Sequence, residues 1–135
     1  HFKLSPNQLE ISFSISGDTG MPFMLGYHPA FNLQSSDASV RILDKNISIQ
    51  KILEVGDRAL EVAECSELVL EDRVSLSVRT QGFNHFMLWS PHPGMLCIEP
   101  ITYYPYRAAE SGLSSGFMLL NDSPVEFLVI IEPKN

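Results

Sequence analysis

Two ionisable side chains stand out because each closes an apolar run and is followed at once by proline. His28 lies in Met21-Pro22-Phe23-Met24-Leu25-Gly26-Tyr27-His28-Pro29-Ala30-Phe31-Asn32-Leu33, and Glu99 ends Met95-Leu96-Cys97-Ile98-Glu99-Pro100. Proline cannot donate to a sheet ladder and drives the residue before it to extended backbone, so both side chains are expected to be held stiffly at strand ends. An unperturbed imidazole titrates near pH ~6.5 and can deliver a proton at neutral pH once positioned. A carboxylate after a buried strand is expensive unless it is paired or working, and desolvation moves it toward the range of a useful base. The pair offers one acid and one base. The competing reading is structural: a histidine hydrogen-bonded in the core or a loop, and a glutamate in a salt bridge.

The remaining candidates are weaker. His1 is terminal, His92 sits in a Pro-His-Pro turn, and His85 follows Asn84 at the mouth of a strand. There is no His-x-His, His-Glu-x-x-His or Cys-x-x-Cys spacing, so no metal site is expected. No phosphate-binding glycine loop, Gly-x-Ser-x-Gly elbow or dinucleotide fingerprint occurs, and no cofactor is expected. Cys65 and Cys97 read as two reduced thiols. Phe31, Trp89, Tyr103, Tyr104 and Tyr106 crowd near the two proline-marked segments, and aromatic faces with polar tips suit stacking on a sugar ring. Each serves equally well as a core or turn residue. Arg107 is placed to meet a hydroxyl or an anion, or to be a solvated surface charge.

The elements that must position these groups are strands. Leu9, Ile11, Phe13 and Ile15 alternate with Glu10, Ser12 and Ser14, the pattern of a half-buried strand, and Gly17-Asp18-Thr19-Gly20 reads as a turn. Further strands are expected at 40–43, 47–53, 60–63, 68–70, 74–78, 86–89, 95–98, 116–120 and 125–131. Phe127 to Ile131 is apolar on both sides and should lie centrally. Many short strands without sustained 3.6-residue periodicity imply an all-β sandwich or barrel-like pair of sheets, and a helical fold is excluded.

At 135 residues, with no internal repeat or linker, residues 1–135 read as a single domain. A net charge of −7 and the absence of a Lys/Arg cluster argue against nucleic acid as a partner. No apolar run approaches the roughly 20 residues that cross a bilayer, so no membrane partner and a soluble, cytoplasmic protein are expected. A chain that opens on His1 reads as cut from something longer.

The two segments resemble motifs of the aldose 1-epimerase, or galactose mutarotase-like, family. Gly26-Tyr27-His28-Pro29-Ala30-Phe31 is similar to its Gly-aromatic-His-Pro-x-Phe motif, and Cys97-Ile98-Glu99-Pro100 to its Cys-hydrophobic-Glu-Pro motif, in the same order and about seventy residues apart, with Leu88-Trp89-Ser90-Pro91 matching the preceding strand. The resemblance implies an antiparallel β-supersandwich and a cofactor-free isomerase acting on a small-molecule sugar. His28 would protonate the ring oxygen, Glu99 would take the anomeric proton, and ring opening, C1–C2 rotation and reclosure would exchange the α and β anomers of a neutral hexose. Substrate contacts would come from Tyr27, Phe31, Trp89, Tyr103 and a sugar-binding Asp between the motifs. Asp57 is the best positional match for that Asp, with Asp44 and Asp72 as alternatives. The resemblance covers only the C-terminal half of the family domain. A preceding N-terminal half, or a second copy forming a homodimer, would then complete the sheets, and this half-length chain alone would lack the other sugar-holding residues. The alternative function is a carbohydrate-binding β-sandwich module without catalysis.

Overall fold

The computed structural model describes residues 1–107 and 116–134. All strand pairs are antiparallel. The large sheet has seven strands: β1 (Phe2–Ser5), β2 (Gln8–Ile15), β5 (Ser39–Ile42), β6 (Lys45–Ser48), β8 (Glu67–Glu71), β9 (Ser75–Gln81) and β13 (Val125–Lys134), in the order β1-β2-β13-β9-β8-β5-β6. The small sheet is β4-β11-β10-β7, formed by β4 (Ala30–Asn32), β7 (Leu60–Val62), β10 (His85–Trp89) and β11 (Met95–Ile101). A two-stranded ribbon pairs β3 (Pro22–Phe23) with β12 (Met118–Leu119).

The alternation written into the strands builds the core. Ile11 of β2, Val40 of β5, Leu68 and Leu70 of β8, Val78 of β9 and Phe127 and Val129 of β13 face Val62, Phe86, Leu88, Leu96 and Ile98 of the small sheet in one buried cluster. The rings of Phe83 and Phe127 lie 5.0 Å apart within it. The all-β sandwich is therefore the observed fold, and β13 lies inside the large sheet between β2 and β9, as its apolar composition requires. The outer face of the large sheet is polar, with ion pairs Lys3–Glu10, Arg41–Glu71 and Arg79–Glu132 across neighbouring strands.

Two local expectations change. The apolar run at 47–53 is only partly strand: β6 ends at Ser48, and Ile49–Val55 is the helix α1. Ser48 caps it, accepting a hydrogen bond from the Lys51 amide, and Ile49 and Ile52 bury one face at helical spacing. Secondly, Glu99 does not end a strand, since β11 continues through Pro100 to Ile101.

Gly82 has φ of +84°, and a Cβ there would come within 2.6 Å of the Phe127 ring. Gly20 has the same φ with open space around it. Both Gly→Ala changes should cost the roughly 1–2 kcal/mol of left-handed backbone, and Gly82→Ala should cost more because Phe127 must move. Urea denaturation of the two variants measures the difference; equal losses would rule out a packing role for Gly82.

Candidate active site

The site is built by the register of one strand pair. Cys97 lies opposite Ala30, and beyond the end of β4 the same pairing continues through the Tyr27 amide, which donates to the Pro100 carbonyl at 3.0 Å, the Ile98 amide, which donates to the Pro29 carbonyl at 3.2 Å, and a bridge between Gly26 and Ile101. Carried through, this register sets His28 directly across from Glu99.

In antiparallel sheets hydrogen-bonded pairs alternate with non-hydrogen-bonded ones, whose Cα atoms are closer, about 4.5 Å apart, and whose side chains meet. Pro29 with Ile98 and Tyr27 with Pro100 are the bonded pairs. Each retains a single bond, because the proline accepts but has no N–H to return. His28 and Glu99 form the closer pair between them. Pro100 costs one ladder bond, the one its amide would have returned to the Tyr27 carbonyl, and leaves the pairing with β10 intact on its other side.

The side chains meet as the backbone dictates: His28 Nε2 is 3.2 Å from Glu99 Oε1. Their environments are opposite. The His28 side chain is 59% exposed and that of Glu99 only 10%. Burial pushes the Glu99 carboxyl above its ordinary range, and the neighbouring His28 charge partly offsets the rise. An exposed imidazole beside a desolvated carboxyl is an arrangement able to exchange protons with a ligand.

Residues opposite one another share a sheet face. Glu99 is therefore in a row with Met87 and Glu61, and Cys97 in a row with Trp89 and Ala30. The Trp89 ring stands edge-on to His28 at 6.2 Å between centroids. Further along, Glu61 forms an ion pair with Arg107, whose guanidinium lies over the Tyr104 ring at 5.1 Å from its centroid. Tyr104 is buried, which together with Glu61 pushes its phenol up to about 12. A separate cavity of about 450 Å³ near the start of β10 is lined by Glu64, Cys65, Ser66, Asn84 and His85, without His28 or Glu99.

The other candidates divide by strand parity. Trp89 shares the face of the pair. The Tyr103 ring lies beside those of His85 and Tyr104, at 6.4 and 6.2 Å. Tyr27 and Phe31 pack against the sandwich core instead: Tyr27 lies 5.5 Å from the Phe13 ring, and Phe31 is opposite the buried Leu96. Asp57 is exposed in a 3-10 turn (Gly56–Arg58), where its backbone carbonyl accepts a hydrogen bond from the Tyr106 hydroxyl. Asp44 lies in the β5–β6 turn, and the Asp72 carboxylate accepts from the amides of Gln34 and Arg73, a structural role.

Sequence reasoning did not single out Glu61 or give Cys97 a place beside the pair. Both were accessible signals. Glu61 interrupts Leu60 and Val62, so it must face away from the core, and Cys97 precedes Glu99 by two residues, the spacing that puts both on one face.

No family model matches the chain, and no curated protein matches it. Solved structures do. A protein of Escherichia coli K12 provisionally assigned as an aldose 1-epimerase aligns with a TM-score of 0.75 at 13% identity, covering 98% of this chain and 58% of that one. The Slr1438 protein of Synechocystis sp. PCC 6803 aligns at 0.73 and 18% identity, covering 98% and 53%. HI1317 aligns at 0.55 and 14% identity, covering 99% and 63%. The chain shares its all-β sandwich fold with these three structures and spans less than two thirds of each.

A raised carboxyl holds its proton more tightly when folded than unfolded, so its contribution to stability is present at low pH and lost as pH rises from the ordinary carboxylate range through the folded value. Glu99→Gln should remove that decline, measured as the wild-type minus variant unfolding free energy across pH. His28→Ala should raise the Glu99 carboxyl further, read by carboxyl ¹³C titration; an unchanged or lower midpoint would contradict the charge coupling.

Proposed function

We propose that the protein is an isomerase of the aldose 1-epimerase type, exchanging the α and β anomers of a neutral hexose. The observation that carries the reading is the in-register His28–Glu99 pair on the face of the small sheet turned away from the large sheet, with His28 at its exposed edge. The ring oxygen and the anomeric hydroxyl of a pyranose are bonded to the same carbon, so an acid and a base serving both must converge within a few ångströms. His28 and Glu99 do.

His28, exposed and at the outer edge of the pair, donates its proton to the ring oxygen as the C1–O bond breaks. Glu99 removes the proton from the anomeric hydroxyl, and C1 becomes an aldehyde. After rotation about C1–C2, the ring oxygen adds to the other face of the carbonyl, returning its proton to His28 while Glu99 reprotonates the new anomeric oxygen. Both groups end as they began. Desolvation keeps Glu99 basic enough to accept that proton, since a base works best with a pKa near the operating pH. Trp89 offers an aromatic surface beside the reacting atoms. Because the chain spans only part of the similar structures, further sugar contacts are proposed to come from a preceding segment or a second copy.

The decay of optical rotation of freshly dissolved α-glucose and α-galactose tests the proposal. The protein should accelerate it, and His28→Ala and Glu99→Gln should each reduce the acceleration by about 10²–10⁴-fold with unchanged circular dichroism. Full rates in both variants would remove the assigned roles; sugar binding without acceleration would make the protein a carbohydrate-binding module.

A further inference from the structure

The same register that pairs His28 with Glu99 brings a third group into reach. Cys97 shares the sheet face of Glu99 and is buried, and one ligating atom from each of His28, Cys97 and Glu99 lies within 4.8 Å of the other two. Imidazole nitrogen, thiolate sulfur and carboxylate oxygen are the donors that zinc and similar borderline-soft divalent ions take, and three protein donors with one position left open is a recurrent arrangement for them.

We propose that His28, Cys97 and Glu99 form an open three-donor site for a borderline-soft divalent transition cation such as Zn²⁺, which silences the acid–base pair when bound. The silencing rests on the function proposed above; the binding does not.

Geometry permits it with a small movement. Bonds of about 2.0–2.3 Å to a tetrahedral ion put its donors roughly 3.3–3.8 Å apart, so donors as far as 4.8 Å apart must close by about 1.0–1.5 Å. Cys97 and Glu99 are fixed two residues apart on β11, whereas His28 is exposed enough to swing inward. Charge favours the same outcome. On binding, the Cys97 thiol releases one proton, and thiolate and carboxylate together neutralise the charge of the dication. The cost falls on His28, whose Nε2 is committed to the metal and has no proton to give, and on Glu99, whose lone pair is withdrawn from the anomeric hydroxyl.

Cobalt(II) is the probe, because its bond to a thiolate produces a charge-transfer absorption that oxygen and nitrogen donors do not. Titrating the protein with Co²⁺ under reducing conditions should produce that band. Cys65→Ser, altering the chain's other cysteine, should keep it, Cys97→Ser should abolish it, and His28→Ala should weaken cobalt binding by about tenfold or more, at least the loss seen when outer-shell partners are removed. His28→Ala alters a half-exposed side chain, so its effect is readable even if Cys97→Ser proves poorly folded. No band in the wild type, or a band that survives Cys97→Ser, would overturn the site. Zn²⁺ should suppress anomer interconversion and a chelator restore it; undiminished activity with the site occupied would overturn the silencing. Cobalt binding through Cys97 in a protein that accelerates no sugar would instead overturn the function and leave the metal site standing.

Discussion

Everything at this site depends on one antiparallel register, the pairing that puts His28 opposite Glu99 at a position where the backbone makes no cross-strand hydrogen bond. Non-bonded pairs are where antiparallel strands approach most closely and where facing side chains touch. A proline after each residue keeps the adjoining carbonyls as acceptors while removing the amides that would return a bond. The contact between imidazole and carboxylate is therefore set by main-chain geometry, and no long side chain has to be ordered to make it. A slip of one residue in either strand would turn that strand's group to the opposite face of the sheet, away from its partner.

That register is held from behind. Leu96 and Ile98 alternate with Cys97 and Glu99 and are buried against Leu88, Phe86 and the large sheet. β11 is an inner strand with a partner on each side. The tight β10–β11 connection is fixed by the Ser90 hydroxyl, whose single proton lies between the carbonyls of Met95 and His92, at 2.7 and 2.9 Å from its oxygen. The outward row of Glu99, Met87 and Glu61 thus rests on a packed layer, and the burial of Glu99 follows from the residues around it.

Much of this was legible in the sequence and some was not, for identifiable reasons. Period-two alternation in residues 9–15 and the doubly apolar run at 127–131 follow directly from how sheets bury their faces, and both appear as expected. Residues 47–53 mislead because Ile47 and Ile49 alternate like a strand while Ile49, Ile52 and Leu53 repeat like a helix; the Ser48 cap decides between them. His28 and Glu99 were visible through their prolines. Tyr27 and Phe31 were read by proximity to His28 along the chain, yet side chains one or three positions away in an extended segment point to the other face. That parity becomes readable only when the partner strand is known. Asp57 was placed by its position between the two motifs alone.

The position of β13 also has a kinetic consequence. Residues 125–134 sit between β2 and β9, and the hydroxyl of Ser14 meets the carboxylate of Glu126 across 112 residues of sequence. The β1–β2 hairpin therefore has one open flank until β13 arrives, and loops this long are costly to close before the contacts they enable are formed. Topologies of this kind reach the native state in milliseconds to seconds rather than microseconds. On a ribosome, the apolar faces of β2 and β9 would have to wait for that strand with their edges bare, the interval in which a chaperone is of most use.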